Sequence, residues 1–149
     1  MEAPRWTVRV RATGKGGASV LTRTHRFEVG DAAPFDVEAP LVSGLEYALG
    51  ALGAELSAGL LTRARRTGRA IEEAEALVRC ELDDPLAALG VIGAAGHAGI
   101  AFVHVKVFAR TLEPPEVVQA LFVETLAASP LCVTLAKACN FDAVCEIAP

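Results

Sequence analysis

The stretch LGALGAEL, residues 49–56, sets a carboxylate, Glu55, into the most apolar part of the chain. From Ala39 to Leu61 the only charged residues are Glu46 and Glu55. They are nine residues apart, about 900° at roughly 100° per residue, so on a helix they point in opposite directions. They cannot form a paired-carboxylate site. Glu46 stands three residues after Ser43, where it completes a capping box. Glu55 shares its helix face with Ala48, Ala51, Leu52 and Gly59 and points where the helix packs. A carboxylate in such a cleft has a raised pKa unless a cation pairs with it. Arg9, Arg11, Lys15 and His25 are the candidate partners from the preceding strands. Chemically, Glu55 is a candidate acid/base group, with His25 or His97 as a helper.

The thiols are the second candidates. Cys80, Cys132, Cys139 and Cys145 show no C-x-x-C spacing, and with three histidines they form no recognisable zinc pattern. No metal or cofactor is expected. Cys132 lies two residues after Pro130, in the first turn of a helix whose amino end could lower its pKa. Cys139 is seven residues on, a rise of about 10.5 Å along a helix, too far for a bond with Cys132. Small core residues are the ordinary role of such thiols. The glycines at 90, 93, 96 and 99 match neither nucleotide-binding fingerprint, and the segment reads as a mobile loop.

Elements must position these groups. RWTVRVRA (5–12) alternates, with Trp6, Val8 and Val10 on one side, and reads as a half-buried strand. TGKGG is a turn, and SVLTRTHRFEV (19–29) is its β-rich hairpin partner. FDVEAP (35–40) reads as a short third strand. Ser43 caps a helix that runs to Arg66 and closes at Gly68. Arg63, Arg65 and Arg66 in its last turn suit the helix dipole and read as a solvated end. Gly50, Gly53 and Gly59 each cost about 1 kcal/mol of helix propensity, which a closely packed central helix tolerates. Leu77–Leu82 reads as a strand, Pro85 opens a helical turn, and 100–110 is a strand. Pro115 begins one helix, Ser129 and Pro130 begin the next, and 141–147 is a last strand. This order is α+β in a single domain spanning 1–149.

The composition bounds the function. Hydrophobic residues make up 52% and charged residues 21%, as in a globular domain. The net charge of −4 argues against nucleic acid or anionic lipid as a partner. Residues 40–61 could reach across a bilayer, but Glu46, Glu55, four glycines and two serines favour a buried helix of a soluble protein. The first residues do not read as a signal peptide, so a cytoplasmic location with reduced thiols is expected.

Three segments resemble one family. FDVEAPLVSGLEYALGALGAEL resembles the short strand, loop and central helix of the OsmC/Ohr proteins (osmotically inducible protein C and organic hydroperoxide resistance). IAFVHVKVFARTLEPPEVVQALFVETLAASPLCVTL resembles their strand, helix and second cysteine helix. WTVRVRATGKGG suits their N-terminal hairpin. The resemblance implies an OsmC-like fold with an N-terminal β-hairpin or sheet, a long central helix and a strand-helix-helix-strand half. It also implies an intertwined homodimer with pockets at the subunit interface. Glu55 stands where the family carries its peroxidatic cysteine, and Ser129 where it carries the second. The TGKGGAS turn offers Lys15 where the peroxidases carry an arginine.

A thiol peroxidase needs a thiolate to attack the O–O bond and a second thiol to resolve the sulfenic acid. A carboxylate and a hydroxyl cannot do this. The expectation is therefore an OsmC-like protein that binds a small organic ligand in an interface pocket and lacks the standard peroxidase cycle. The alternatives are a hydroperoxide reductase relocated to Cys132, and an acid/base enzyme using Glu55.

Overall fold

The structure, a computed structural model, describes residues 1–31 and 37–148. The chain divides into two compact units, Met1–Ala48 and Leu49–Pro149.

The first unit holds the antiparallel sheet β1 (Arg9–Ala12), β2 (Ala18–Thr22) and β3 (His25–Val29), in that order. The continuous β pattern of 19–29 conceals a turn. Arg23 adopts a left-handed conformation (φ 52°), and Thr22 pairs with His25 across a two-residue loop. That conformation usually goes to glycine or asparagine, so no turn residue marks it in the sequence. The third strand among the described residues is thus His25–Val29. Phe35 and Asp36 of the expected strand lie outside the described residues, and Val37–Pro40 form a turn and a bend. The first strand is also shorter than its alternation predicts. Trp6 is 86% exposed and Val10 58% exposed, so the expected half-buried face is bare within the chain.

α1 (Gly44–Arg66) begins at the expected cap. Ser43 N–H donates to Glu46 Oε2 at 2.8 Å, and Glu46 N–H donates to Ser43 Oγ at 3.2 Å. These two bonds hold the Glu46 carboxyl below its ordinary pKa, the backbone bond first. Nearby, Phe27 and Tyr47 pack at 5.2 Å between ring centres.

The second unit has a sheet of order β4 (Ile71–Leu82), β5 (Ile100–Thr111), β6 (Asn140–Ala148). β4 and β5 pair antiparallel, and β5 and β6 pair parallel. A parallel pair needs a crossover, supplied by α3 (Pro115–Ala127) and α4 (Pro130–Ala138). The short α2 (Pro85–Ala88) lies between β4 and β5. The strand expected over 77–82 extends back to Ile71. Glutamates at 73 and 75, helix formers by propensity, face solvent there, while Ala74, Ala76 and Val78 pack on the core.

Strict alternation on β5 buries Val103, Val105, Val107 and Ala109. Leu52, Leu56, Leu60 and Ala64 repeat every fourth residue of α1 and join them in one core with Val118, Leu121 and Phe122 of α3. Close packing explains two of the helix glycines. A Cβ on Gly53 would meet Val78 at 3.1 Å, and one on Gly59 would meet Thr125 at 3.0 Å. Gly50 has open space around it, so close packing does not account for it. The glycine-dotted loop before β5 is tied down by Asp83 N–H to the Gly99 carbonyl and Asp84 N–H to the His97 carbonyl. Asp84 also caps α2, and a side chain at Gly96 would collide with it.

Candidate functional site

Glu55 and Ser129 meet. Ser129 is the N-cap of α4, in an extended conformation, and is 4% exposed. Its Oγ accepts the Cys132 N–H at 3.1 Å and donates its own proton to Glu55 Oε2. The Leu131 N–H points at the same carboxylate oxygen at 3.4 Å. Glu55 therefore faces the amino end of α4, where free N–H groups and the helix dipole favour an anion. Glu55 Oε1 has no hydrogen-bond partner among the described residues.

Beside this pair lies a groove of about 380 Å³. One wall is α1, with Glu55, Ala58, Gly59, Thr62, Arg63 and Arg66. The other comprises Thr125 of α3, its C-cap Ala128, and Ser129 and Pro130 at the head of α4. Gly59 permits the wall-to-wall approach to Thr125. Thr125 turns its hydroxyl away to the Leu121 carbonyl, at 2.7 Å, and leaves its methyl toward the glycine. Arg63 lies 3.6 Å from Glu124.

Cys132 sits directly behind Ser129 but is 3% exposed. Burial pushes its thiol pKa up, against the lowering effect of the Ser129 hydrogen bond, and the Glu55 charge pushes it further in the same direction. Cys132 is thus a small core thiol, the ordinary role of such a residue, and not one activated by the helix end. Cys145 is pushed up to about 11, by burial first and by Glu146 second. Cys80 is raised as well, again mainly by burial. Cys139 does not share a helix with Cys132, because it is the extended C-cap residue of α4. All four cysteines are free. No group of three His, Cys, Asp or Glu among the described residues could hold a metal ion.

Of the expected partners of Glu55, Arg9, Arg11, Lys15 and His25 belong to the first unit, where Arg11 lines a groove with Ser19, Arg26 and Glu28. His97 is exposed in the loop before β5. His104 pairs with Asp142 at 2.8 Å on the outer face of the second sheet. Arg63 and Arg66, read from sequence as a solvated helix end, line the groove. The signal for them was available: 55, 59, 63 and 66 recur on one helix face.

Solved structures match this chain along almost its whole length. An OsmC-like protein from Mycoplasma pneumoniae superposes with a TM-score of 0.81 at 11% identity, covering 99% of this chain and 100% of that one. An organic hydroperoxide resistance protein OsmC from Legionella pneumophila gives 0.68 at 14%, covering 99% and 100%. This chain has the OsmC-like fold. A third neighbour, a putative organic hydroperoxide resistance protein from Vibrio cholerae with captopril bound in one of its active sites, gives 0.62 at 16%, covering 97% and 93%. No protein-family model and no curated protein matches the sequence. No single helix among the described residues of this OsmC-like chain is long and apolar enough to cross a membrane.

Proposed function

We propose that this OsmC-like chain is a ligand-binding relative of the organic hydroperoxide resistance proteins, with a carboxylate–hydroxyl pair at the positions of their two cysteines. The observation that carries the reading is the hydrogen bond between Glu55 and Ser129, 74 residues apart, at the edge of a groove. Two replaced positions that still face each other indicate a site kept with its chemistry exchanged. Glu55 cannot cycle through a sulfenic acid, and Ser129 cannot resolve one. The remaining nearby thiol, Cys132, is buried and held protonated, which counts against a relocated peroxidase. Captopril in an active site of the Vibrio cholerae protein supports a pocket that accepts small organic molecules.

In this reading the protein is a cytoplasmic homodimer. The first unit leaves Trp6, Val8, Val10 and Phe27 exposed, and α1 leaves Ala51 and Ala54 exposed. Such faces fit burial against a second copy. Light scattering should return twice the 15.5 kDa chain mass.

The deciding experiment measures organic hydroperoxide consumption with a dithiol reductant, for the unmodified protein and for Cys132→Ser. The expected rate is the background of free thiol in both. Turnover in the unmodified protein that disappears in Cys132→Ser would replace this reading with a relocated peroxidase.

A further inference from the structure

The groove beside Glu55 carries unsatisfied groups of opposite sign at its two ends. At one end, Glu55 Oε2 takes the Ser129 and Leu131 donors and Oε1 is left open. At the other end stands Arg66. Its neighbours are engaged: Arg63 with Glu124, Arg65 with the Thr62 hydroxyl, Arg69 with Glu113. Arg66 makes no ion pair or hydrogen bond among the described residues. Glu55 and Arg66 are eleven residues apart, about 1100°, so they head within roughly 20° of each other. Their Cα atoms are about 16 Å apart along the axis at 1.5 Å per residue. The arginine side chain leans back toward the helix amino end and shortens that gap. Between them the lining is Ala58, Gly59, Thr62, Thr125 and Ala128, with Arg63 paired to Glu124.

We infer that the groove selects a linear, two-headed molecule. Its ammonium head binds Glu55, its carboxylate head binds Arg66, and an apolar chain lies over Ala58 and Gly59. This inference rests on the ligand-binding reading and deepens it. A guanidinium grips a carboxylate with two parallel bonds. The open carboxylate oxygen of Glu55 is a matching acceptor for a cationic donor. A floor of small residues, with Arg63 turned to Glu124, suits an unbranched aliphatic spacer.

The test is calorimetric titration with aminooctanoate, octanoate and octylamine. Aminooctanoate should bind at least tenfold more tightly than either single-headed molecule. Glu55→Gln and Arg66→Ala should each bring it down to their level, whereas Arg65→Ala should leave it unchanged. Arg66→Glu should shift the preference to diaminooctane. If octanoate binds as tightly as aminooctanoate and Glu55→Gln has no effect, the two-headed ligand is wrong while ligand binding stands. If none of the three binds at millimolar concentration, the two-headed ligand is wrong too. Anilinonaphthalene sulfonate then decides the wider reading: fluorescence that Ala58→Trp abolishes keeps a ligand groove, and no fluorescence removes it.

Discussion

The two sheets are held in different ways. The sheet β4-β5-β6 is an amphipathic layer with one buried face, where Val103, Val105, Val107 and Ala109 are sealed by α1 and α3. On its other face polar groups are paired: His104 with Asp142, Lys106 with Glu146, Arg110 with Glu72 and Glu73. The sheet β1-β2-β3 has a single buried apolar residue among its described strands, Val20 at 9%. It is organised by hydrogen bonds: Gly17 N–H to Asp31 at 3.0 Å, Ser19 and Arg26 to Glu28, and Gly30 N–H to the Val42 carbonyl at 2.7 Å. Burial of apolar area is the main driving force of folding, while an exposed hydrogen bond contributes little net. The second unit thus carries its own core, and the first leaves apolar surface exposed.

The comparison breaks first in the core. Leu56→Ala removes a side chain with no exposure at the centre of the second unit. It should cost about 2–5 kcal/mol, read as a lower midpoint in urea unfolding. A loss no greater than that of an exposed substitution would mean that the second unit is not the stability centre.

A second test uses pH. Cys145 is protonated more tightly in the folded chain, with its pKa raised from 9.0 to about 11. The stability tied to that thiol is present below the unfolded pKa and is lost as pH rises through the folded one. Unfolding free energy should therefore fall between pH 9 and about 11, by roughly 2–3 kcal/mol at about 1.4 kcal/mol per tenfold change in proton affinity. Cys145→Ala should flatten that part of the profile. Glu28 in the first unit is shifted the other way, lowered by the Ser19 and Arg26 bonds.

A smaller effect is expected where hydrogen bonds dominate. Ser43→Ala removes the cap of α1 and half of the capping box. It should cost about 1 kcal/mol, seen as a drop in Tm. Smallest of all, Arg110→Ala on the outer face of the second sheet should change stability by less than about 1 kcal/mol, and less still in high salt. A larger effect would give the exposed ion pairs a structural weight that their exposure does not predict.

Legibility followed the range of each interaction. The capping box Ser43–Glu46, the Ser129–Pro130 start of α4, the Pro85 turn and the alternation of β5 were all readable, because each is settled within three or four residues. The Thr22–His25 turn was not, since Arg23 carries no residue-type signal for its left-handed backbone. Residues 69–76 were ambiguous, because Ala and Glu favour helix in isolation and a neighbouring strand overrode them.

What the sequence determined by itself was the helix ends, the buried stripe of α1, the β5 core face and the presence of a carboxylate on an apolar helix. Tertiary structure decided that this carboxylate meets Ser129, that Arg66 lines the same groove without a partner among the described residues, and that Cys132 is buried behind Ser129. The physical reason is that caps and periodicity arise from neighbours along the chain. A hydrogen bond between residues 74 positions apart exists only once the packing of α1, α3 and α4 has set the distance between them.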